Sequence, residues 1–489
     1  MIKPDINSKI RLKCGVTMLT FFCFSLIANE MPISSVDTPL TLEQAIKLAQ
    51  KNDPWLTGNI HQQRAIESMS MAVSTLPDPK ISLGLANLPT NGFDFSQEGM
   101  TQAKVGISQM FPRGDTLDIK SQQLRIQSEA FPYQRQERAA KVAVIVGSLW
   151  LDAYRVQQSI ALIEKNRSLF EQLADIAEAS YSSGLGKTRQ QDIVRAQLEL
   201  TRLENRLDKL GQQKNSYEGM LSQWLTTFLL ANDSAQAANL LTDFSVHNRV
   251  FSQQLPQIEL LKPDLIYQQN WLKPAEVVSY FTNHPSVMAV DKKVSAIKAG
   301  IRLAQQKYKA EWGVSASYGY RGDDAKGSSR ADLFSVGVTF DLPLFTKNRQ
   351  DQEVQSAIFK TEAVKTEKLL LLRQLLGAYS SAKGRLLRLN DRQSLYKSKL
   401  LPQSHDQAEA SLTAYTNDYG DFSEVVRARI SVLNAEIDQL TIDVAEQKIL
   451  LELNYLFIGS IKGNIETVNT RNKLNFANSS PYAAISGEQ

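Results

Sequence analysis

The 489-residue sequence is poor in the residues on which most enzyme and metal chemistry depends. Its two cysteines, Cys14 and Cys23, both fall in the first 28 residues. The remainder can therefore hold no disulfide, thiol nucleophile or thiolate-ligated metal. The four histidines, His61, His247, His284 and His405, are scattered, and none has a second histidine or carboxylate at a convincing metal-ligand spacing. An excess of one charge is missing too: 55 Lys and Arg face 51 Asp and Glu, too even a balance to indicate a nucleic-acid partner. No Gly-rich loop leads into Lys-Ser/Thr between a strand and a helix, so no nucleotide site is legible. Nor does any Ser or Thr sit in a strand–turn–helix context with a committed base. No enzyme activity and no cofactor is expected. Beyond residue 28, no run approaches the ~18 apolar residues of a membrane-spanning helix.

What is present begins with an export signal. Lys3, Lys9, Arg11 and Lys13 precede an apolar run from Val16 to Ala28, and polarity returns at Asn29-Glu30. Cys23 follows Thr20-Phe21-Phe22, which lacks the Leu-small-small pattern of a lipoprotein signal. The expectation is a cleaved signal over residues 1–28 without a lipid anchor; the alternative is a retained membrane anchor, for which the apolar run is short.

The rest contains an internal repeat. Asn52-Asp53-Pro54 answers Asn283-His284-Pro285 at an offset of 231. Val105-Gly106 answers Val336-Gly337, Phe111-Pro112 answers Leu342-Pro343, and Ala179-Ser180 answers Ala410-Ser411, all at the same offset. Arg195-Ala196 answers Arg427-Ala428 at 232. Ordered matches with one residue of drift over about 140 positions mark duplicated units. The expected organisation is a first repeat over 29–260, a second over 261–460 and a polar tail over 461–489. Each repeat has a helical lead-in (41–75; 274–310), two short alternating segments and two long helices (115–183 and 187–230; 346–415 and 421–460). The lead-ins should break at Pro54 and Pro285, and Pro132 should kink the first long helix early.

The alternating segments read as strands near 80–88, 102–111, 311–321 and 333–343. Ile81, Leu83 and Leu85 alternate with Ser82, Gly84 and Ala86, and Val105 and Ile107 alternate with Lys104, Gly106 and Ser108. In the second repeat Val314 and Ala316, then Val336, Val338 and Phe340, alternate with small or polar residues. Period two gives each strand one apolar and one polar face. A length of nine to eleven residues suits a tilted outer-membrane span, and the apolar set would then face lipid. On pattern alone, two hairpins of a soluble α+β protein fit equally well. If the face does meet lipid, four strands cannot close a barrel, and open edges in hydrocarbon leave backbone groups unpaired. Three chains would supply twelve strands.

The long helices carry a 3.5-residue period. Val142, Leu149, Val156, Ile163, Phe170 and Ala177 recur every seven residues. Ile193, Ala196, Leu200, Leu203, Leu207 and Leu210 step by three and four, as do Val426, Ile430, Leu433, Ile437, Leu440 and Val444. That spacing specifies left-handed coiled-coil packing. Helices alone also fit a structural or adhesive coiled-coil protein that spans the periplasm without a conducting pore. Met69, Met71, Met100 and Met110 fit irregular packing better than soft-metal ligation.

At the helix turns, Gly186 leads to Asp192-Ile193-Val194-Arg195-Ala196, and Gly420-Asp421-Phe422 leads to Glu424-Val425-Val426-Arg427-Ala428. With these motifs the chain resembles the TolC outer membrane factor family over nearly its whole length after the signal. The wording around Gly420 is similar to members serving heavy-metal pumps. The resemblance implies a mainly α protein whose coiled-coil hairpins build an α-barrel, with four strands per chain entering a trimeric 12-stranded outer-membrane β-barrel. It also implies a homotrimer contacting outer-membrane lipid, a periplasmic adaptor and an inner-membrane pump of RND type. In the family, acids at the helix-turn tip gate the pore. This carries Asp192 and Glu424 to the gate, where three carboxylates would favour cations. Arg427 departs from the family prototype, which has a further acid there, and could pair with Glu424. Both acids also suit ordinary helix starts.

Overall fold

The computed structural model describes residues 39–183, 189–226, 250–268, 271–417 and 419–460. The expected signal, Gly186, much of the connection between repeats and the polar tail lie outside the described residues. In the first part of the chain, α1 (Leu42–Asn52) and α2 (Pro54–Ala72) lead to β1 (Lys80–Ala86) and β2 (Gln102–Phe111). Three helices follow: α3 (Thr116–Ser128), α4 (Phe131–Ser183) and α5 (Gln190–Leu225). The second part has α6 (Pro263–Tyr267), α7 (Pro274–Phe281) and α8 (Pro285–Gln306), then β3 (Glu311–Tyr320) and β4 (Leu333–Asp341). It ends in α9 (Gln350–Leu395), α10 (Leu401–Thr416) and α11 (Phe422–Leu456). No described helix is long and apolar enough to cross a membrane.

Helix boundaries follow local chemistry. Thr41 Oγ1 accepts the Gln44 amide at 3.2 Å while Gln44 Oε1 accepts the Thr41 amide at 3.1 Å, so α1 starts on a capping box. The lead-ins break where expected. Pro54 and Pro285 each occupy a first helical turn, where a missing amide costs nothing, and Asp53 and His284 cap them. The first long helix is interrupted rather than bent: α3 stops at Ser128 and α4 restarts at Phe131 with Pro132 in its first turn. Between α9 and α10 the chain stays helical but widens into a π-turn over Tyr396–Leu400, immediately before Pro402. A proline inside a helix cannot donate to the carbonyl four residues back and clashes with it, and a π-turn relieves both problems.

The heptad positions form the helical core. Val142, Val156, Ile163, Phe170 and Ala177 are buried along α4, and Leu149 packs partly buried against the same core. On α11, Val426, Leu433, Ile437 and Val444 are buried, with Ile430 and Leu440 partly so. At 53 residues, α4 extends about 80 Å. Midway along the stretch from Thr116 to Ser183, Trp150 stacks on Tyr154, meets Phe251 edge-on and donates its indole N–H to the Leu40 carbonyl at 3.0 Å. A second cluster gathers Phe281, Tyr379, Leu386 and Phe457. A third holds Ile163, Phe170, Ala196, Phe422 and Leu433, uniting α4, α5 and α11.

The four strands form one antiparallel sheet in the order β1-β2-β3-β4. The two hairpins join through β2 and β3, from Ala103 opposite Tyr320 to Phe111 opposite Trp312. That leaves β1 and β4 as the outer strands.

Candidate functional site

Because cross-strand partners share a face, the register sorts the sheet into two surfaces. One row runs Ile81, Ile107, Ala316, Val336; the next runs Leu83, Val105, Tyr318, Phe334. Leu85 follows on β1, and Val314 lies opposite Val338 and Trp312 opposite Phe340. All ten residues expected on the apolar face therefore lie together on it. Ile81 and Leu83 are 73% and 77% exposed, and Leu85, Val105, Ile107, Val336, Val338 and Phe340 are also exposed. Val314 and Ala316 are intermediate. Among the described residues, nothing covers this face. The opposite surface is small and polar: Ser82, Gly106, Ser317 and Ser335 in one row, and Lys80, Ser108, Ser315 and Gly337 in another.

Aromatic rings mark both ends of the apolar face. Phe111 stacks on Trp312 at 4.7 Å at the helix-side end, and Phe95 stacks on Tyr320 at 6.3 Å at the loop end. At the helix-side rim Arg113 donates to the Lys307 and Lys309 carbonyls at 3.3 and 2.9 Å and pairs with Asp341 and, at 3.8 Å, Glu311. One guanidinium thus ties the end of β2 to α8, β3 and β4. Sequence reasoning did not single out Arg113, although Phe111-Pro112 before it was one of the repeat matches.

The far ends of the helices carry the three gate candidates. Asp192 and Glu424 occupy the same place, the third residue of α5 and of α11. Their surroundings differ. Asp192 is buried, and its carboxylate accepts the Arg189 amide at 2.9 Å, satisfying a helix-start donor. Glu424 is half exposed and pairs with Arg427 one turn later in the same chain at 2.9 Å. Of the two acids, only Glu424 presents its carboxylate to solvent.

The residues before Glu424 explain the local wording. A Cβ on Gly420 would stand 2.7 Å from the Tyr415 nitrogen and 2.9 Å from the Ala414 carbonyl carbon, so only glycine fits this close backbone approach. Asp421 then caps α11 by accepting the Ser423 amide at 3.2 Å. Phe422 is buried edge-on to Tyr415, anchoring the turn to the third cluster. Tyr419, 92% exposed, projects from the turn. Among the described residues, no group of three or more His, Cys, Asp or Glu could hold a metal ion.

No protein-family model and no curated protein matches the chain. Its fold is shared with solved channel structures. It aligns with CusC, studied for folding and transmembrane channel formation, at a TM-score of 0.64 and 12% identity, covering 85% of this chain and 91% of that one. The Campylobacter jejuni CmeC outer membrane channel aligns at 0.66 and 12%, covering 88% and 89%. The Vibrio cholerae outer membrane protein VceC aligns at 0.62 and 14%, covering 87% and 97%. The arrangement of long helical hairpins and a four-stranded sheet is therefore that of outer-membrane channel chains.

Proposed function

We propose that the protein is the outer-membrane exit duct of a tripartite efflux system and a member of the TolC-like family. Three copies close a 12-stranded barrel, and the coiled helices continue the conduit through the periplasm. The observation that carries this reading is the sheet. It has one uncovered apolar face ringed by aromatics at both ends, one small polar face and two open edges. Lipid is the solvent that suits the first, water in a lumen suits the second, and neighbouring copies satisfy the third. The shared fold supports the same reading.

On this reading residues 29–260 and 261–460 are the two repeats. The partners are a periplasmic adaptor and an inner-membrane pump of RND type, which supplies the energy and selects the cargo. Heavy-metal cargo rests on the Gly420-Asp421-Phe422 wording alone, and the structure explains that wording by the packing of the turn. The gate function falls to Glu424 and Arg427 at the exposed tip, with Asp192 holding the start of α5 in shape. Purified protein added to planar lipid bilayers should give discrete conductance steps. A chain that stays on the membrane surface and never conducts would instead be a periplasmic coiled-coil protein.

A further inference from the structure

We propose that Lys104, together with Lys80, lines the barrel lumen with fixed positive charge and makes this section of the duct selective for anionic solutes. The proposal rests on the barrel reading above. Four charged residues lie on the small polar face within the strands: Lys80, Lys104, Glu311 and Asp341. The two acids sit together at the helix-side rim, where Arg113 pairs with both. Lys80 and Lys104 have no carboxylate partner among the described residues.

Their neighbours leave the ammonium groups open to water. The Cα partners of Lys104 are Gly84 and Gly319, and the adjacent row is Ser82, Gly106, Ser317 and Ser335. The side chain lying over Gly319 is that of Gln102, a neutral amide. Trimer closure repeats each lysine three times. Lys80 is four residues along β1 from Gly84, so the two rings stand about 13 Å apart along the strand. Rings of Lys or Arg select anions in pores, and low-dielectric walls concentrate their field. The loops beyond the sheet carry acids, among them Asp94, Asp324 and Asp332. The ion preference of the whole channel therefore sums several regions, and the field at Lys104 has to be read locally.

The absence of cysteine after Cys23 makes that measurement clean. In a Cys14→Ser, Cys23→Ser background, Ser317→Cys places a thiol on the small face, diagonal to Lys104 at roughly 7 Å. Full-length trimers in vesicles are treated with an anionic sulfonatoethyl or a cationic trimethylammonioethyl methanethiosulfonate. The ratio of the two rates cancels changes in thiol acidity. Lys104→Gln should lower the anionic-to-cationic ratio roughly three- to tenfold, and Lys104→Arg should preserve it. A ratio unmoved by Lys104→Gln overturns the proposal. Val336→Cys, on the apolar face, separates the two levels of argument. If it resists both reagents while Ser317→Cys reacts, the barrel reading stands and the ratio alone decides. If Val336→Cys reacts as fast as Ser317→Cys, the face assignment and the barrel reading fail together.

Discussion

Arginine placed at Val336 or at Ser335 should have opposite consequences, although the two residues are neighbours in the chain. Val336 is 65% exposed in the row with Ile81, Ile107 and Ala316. Ala316 lies midway along β3 between Trp312 and Tyr320, the aromatic residues at the two ends of the face, about 13 Å along the strand from each. In the proposed barrel the row sits near the bilayer midplane, where an outward-facing Arg costs about 2–4 kcal/mol. Three copies bring the penalty to roughly 6–12 kcal/mol per barrel, comparable with the entire net stability of a typical fold. Ser335 belongs to the row Ser82, Gly106, Ser317 on the opposite, polar face, the lumen side of the proposed barrel. Arginine there remains in water and should cost less than about 1 kcal/mol. The assay is the fraction of protein recovered as heat-resistant trimer from membranes. Val336→Arg should abolish it and Ser335→Arg should leave it near the parental level. Equal recovery of the two variants, or greater loss with Ser335→Arg, would refute the assignment of faces.

Gly420→Ala should destabilise the tip by about 1–3 kcal/mol, because the clash is with backbone and cannot be relieved by a side-chain rotation; thermal unfolding of detergent-solubilised protein reads it. Glu424→Gln should weaken block by trivalent cations in planar bilayers without lowering trimer yield, since the exposed pair with Arg427 contributes under about 1 kcal/mol to stability. Stability should also fall in mild acid through His284, whose pKa is lowered mainly by burial, against the opposing effect of its bond to the Tyr455 carbonyl. Its Nε2 lies 3.1 Å from that carbonyl and its Nδ1 accepts the Ser286 amide at 3.3 Å, so the folded state holds the neutral ring at a helix start. Glu137 and Lys141 act on it with opposite sign. The unfolded chain takes up a proton near the ordinary value of 6.5 that the folded chain refuses. Unfolding midpoints should therefore decline as pH drops below that value, and His284→Asn, which can still cap α8, should flatten the decline.

Much of the fold was legible because its signals are local and periodic. Alternation at Ile81, Leu83 and Leu85, or at Val336, Val338 and Phe340, needs only the strand period, and every apolar residue read this way lies on one face. The seven-residue ladder from Val142 to Ala177 worked for the same reason. Proline placed the breaks at Pro54 and Pro285, but its effect at Pro402 escaped notice because a π-turn absorbs the clash without ending the helix. The β2–β3 pairing was invisible, since contact between Val105 and Tyr318 depends on chain segments more than 200 residues apart. So was the clamp at Arg113, whose partners come from three separate elements. At the tip, sequence placed Asp192 and Glu424 in equivalent positions. It also offered the pairing of Arg427 with Glu424 that the structure shows, but not that the Asp192 carboxylate turns inward to its own backbone, because that burial is made by tertiary packing.

A conducting duct requires the open edges of the sheet to be closed by two further copies in the outer membrane. Native mass spectrometry of protein extracted by detergent from alkali-washed outer membranes addresses this directly. The expected result is a single species at three times the mass of one chain. A monomer, or protein released into the alkaline wash, would contradict the trimeric barrel.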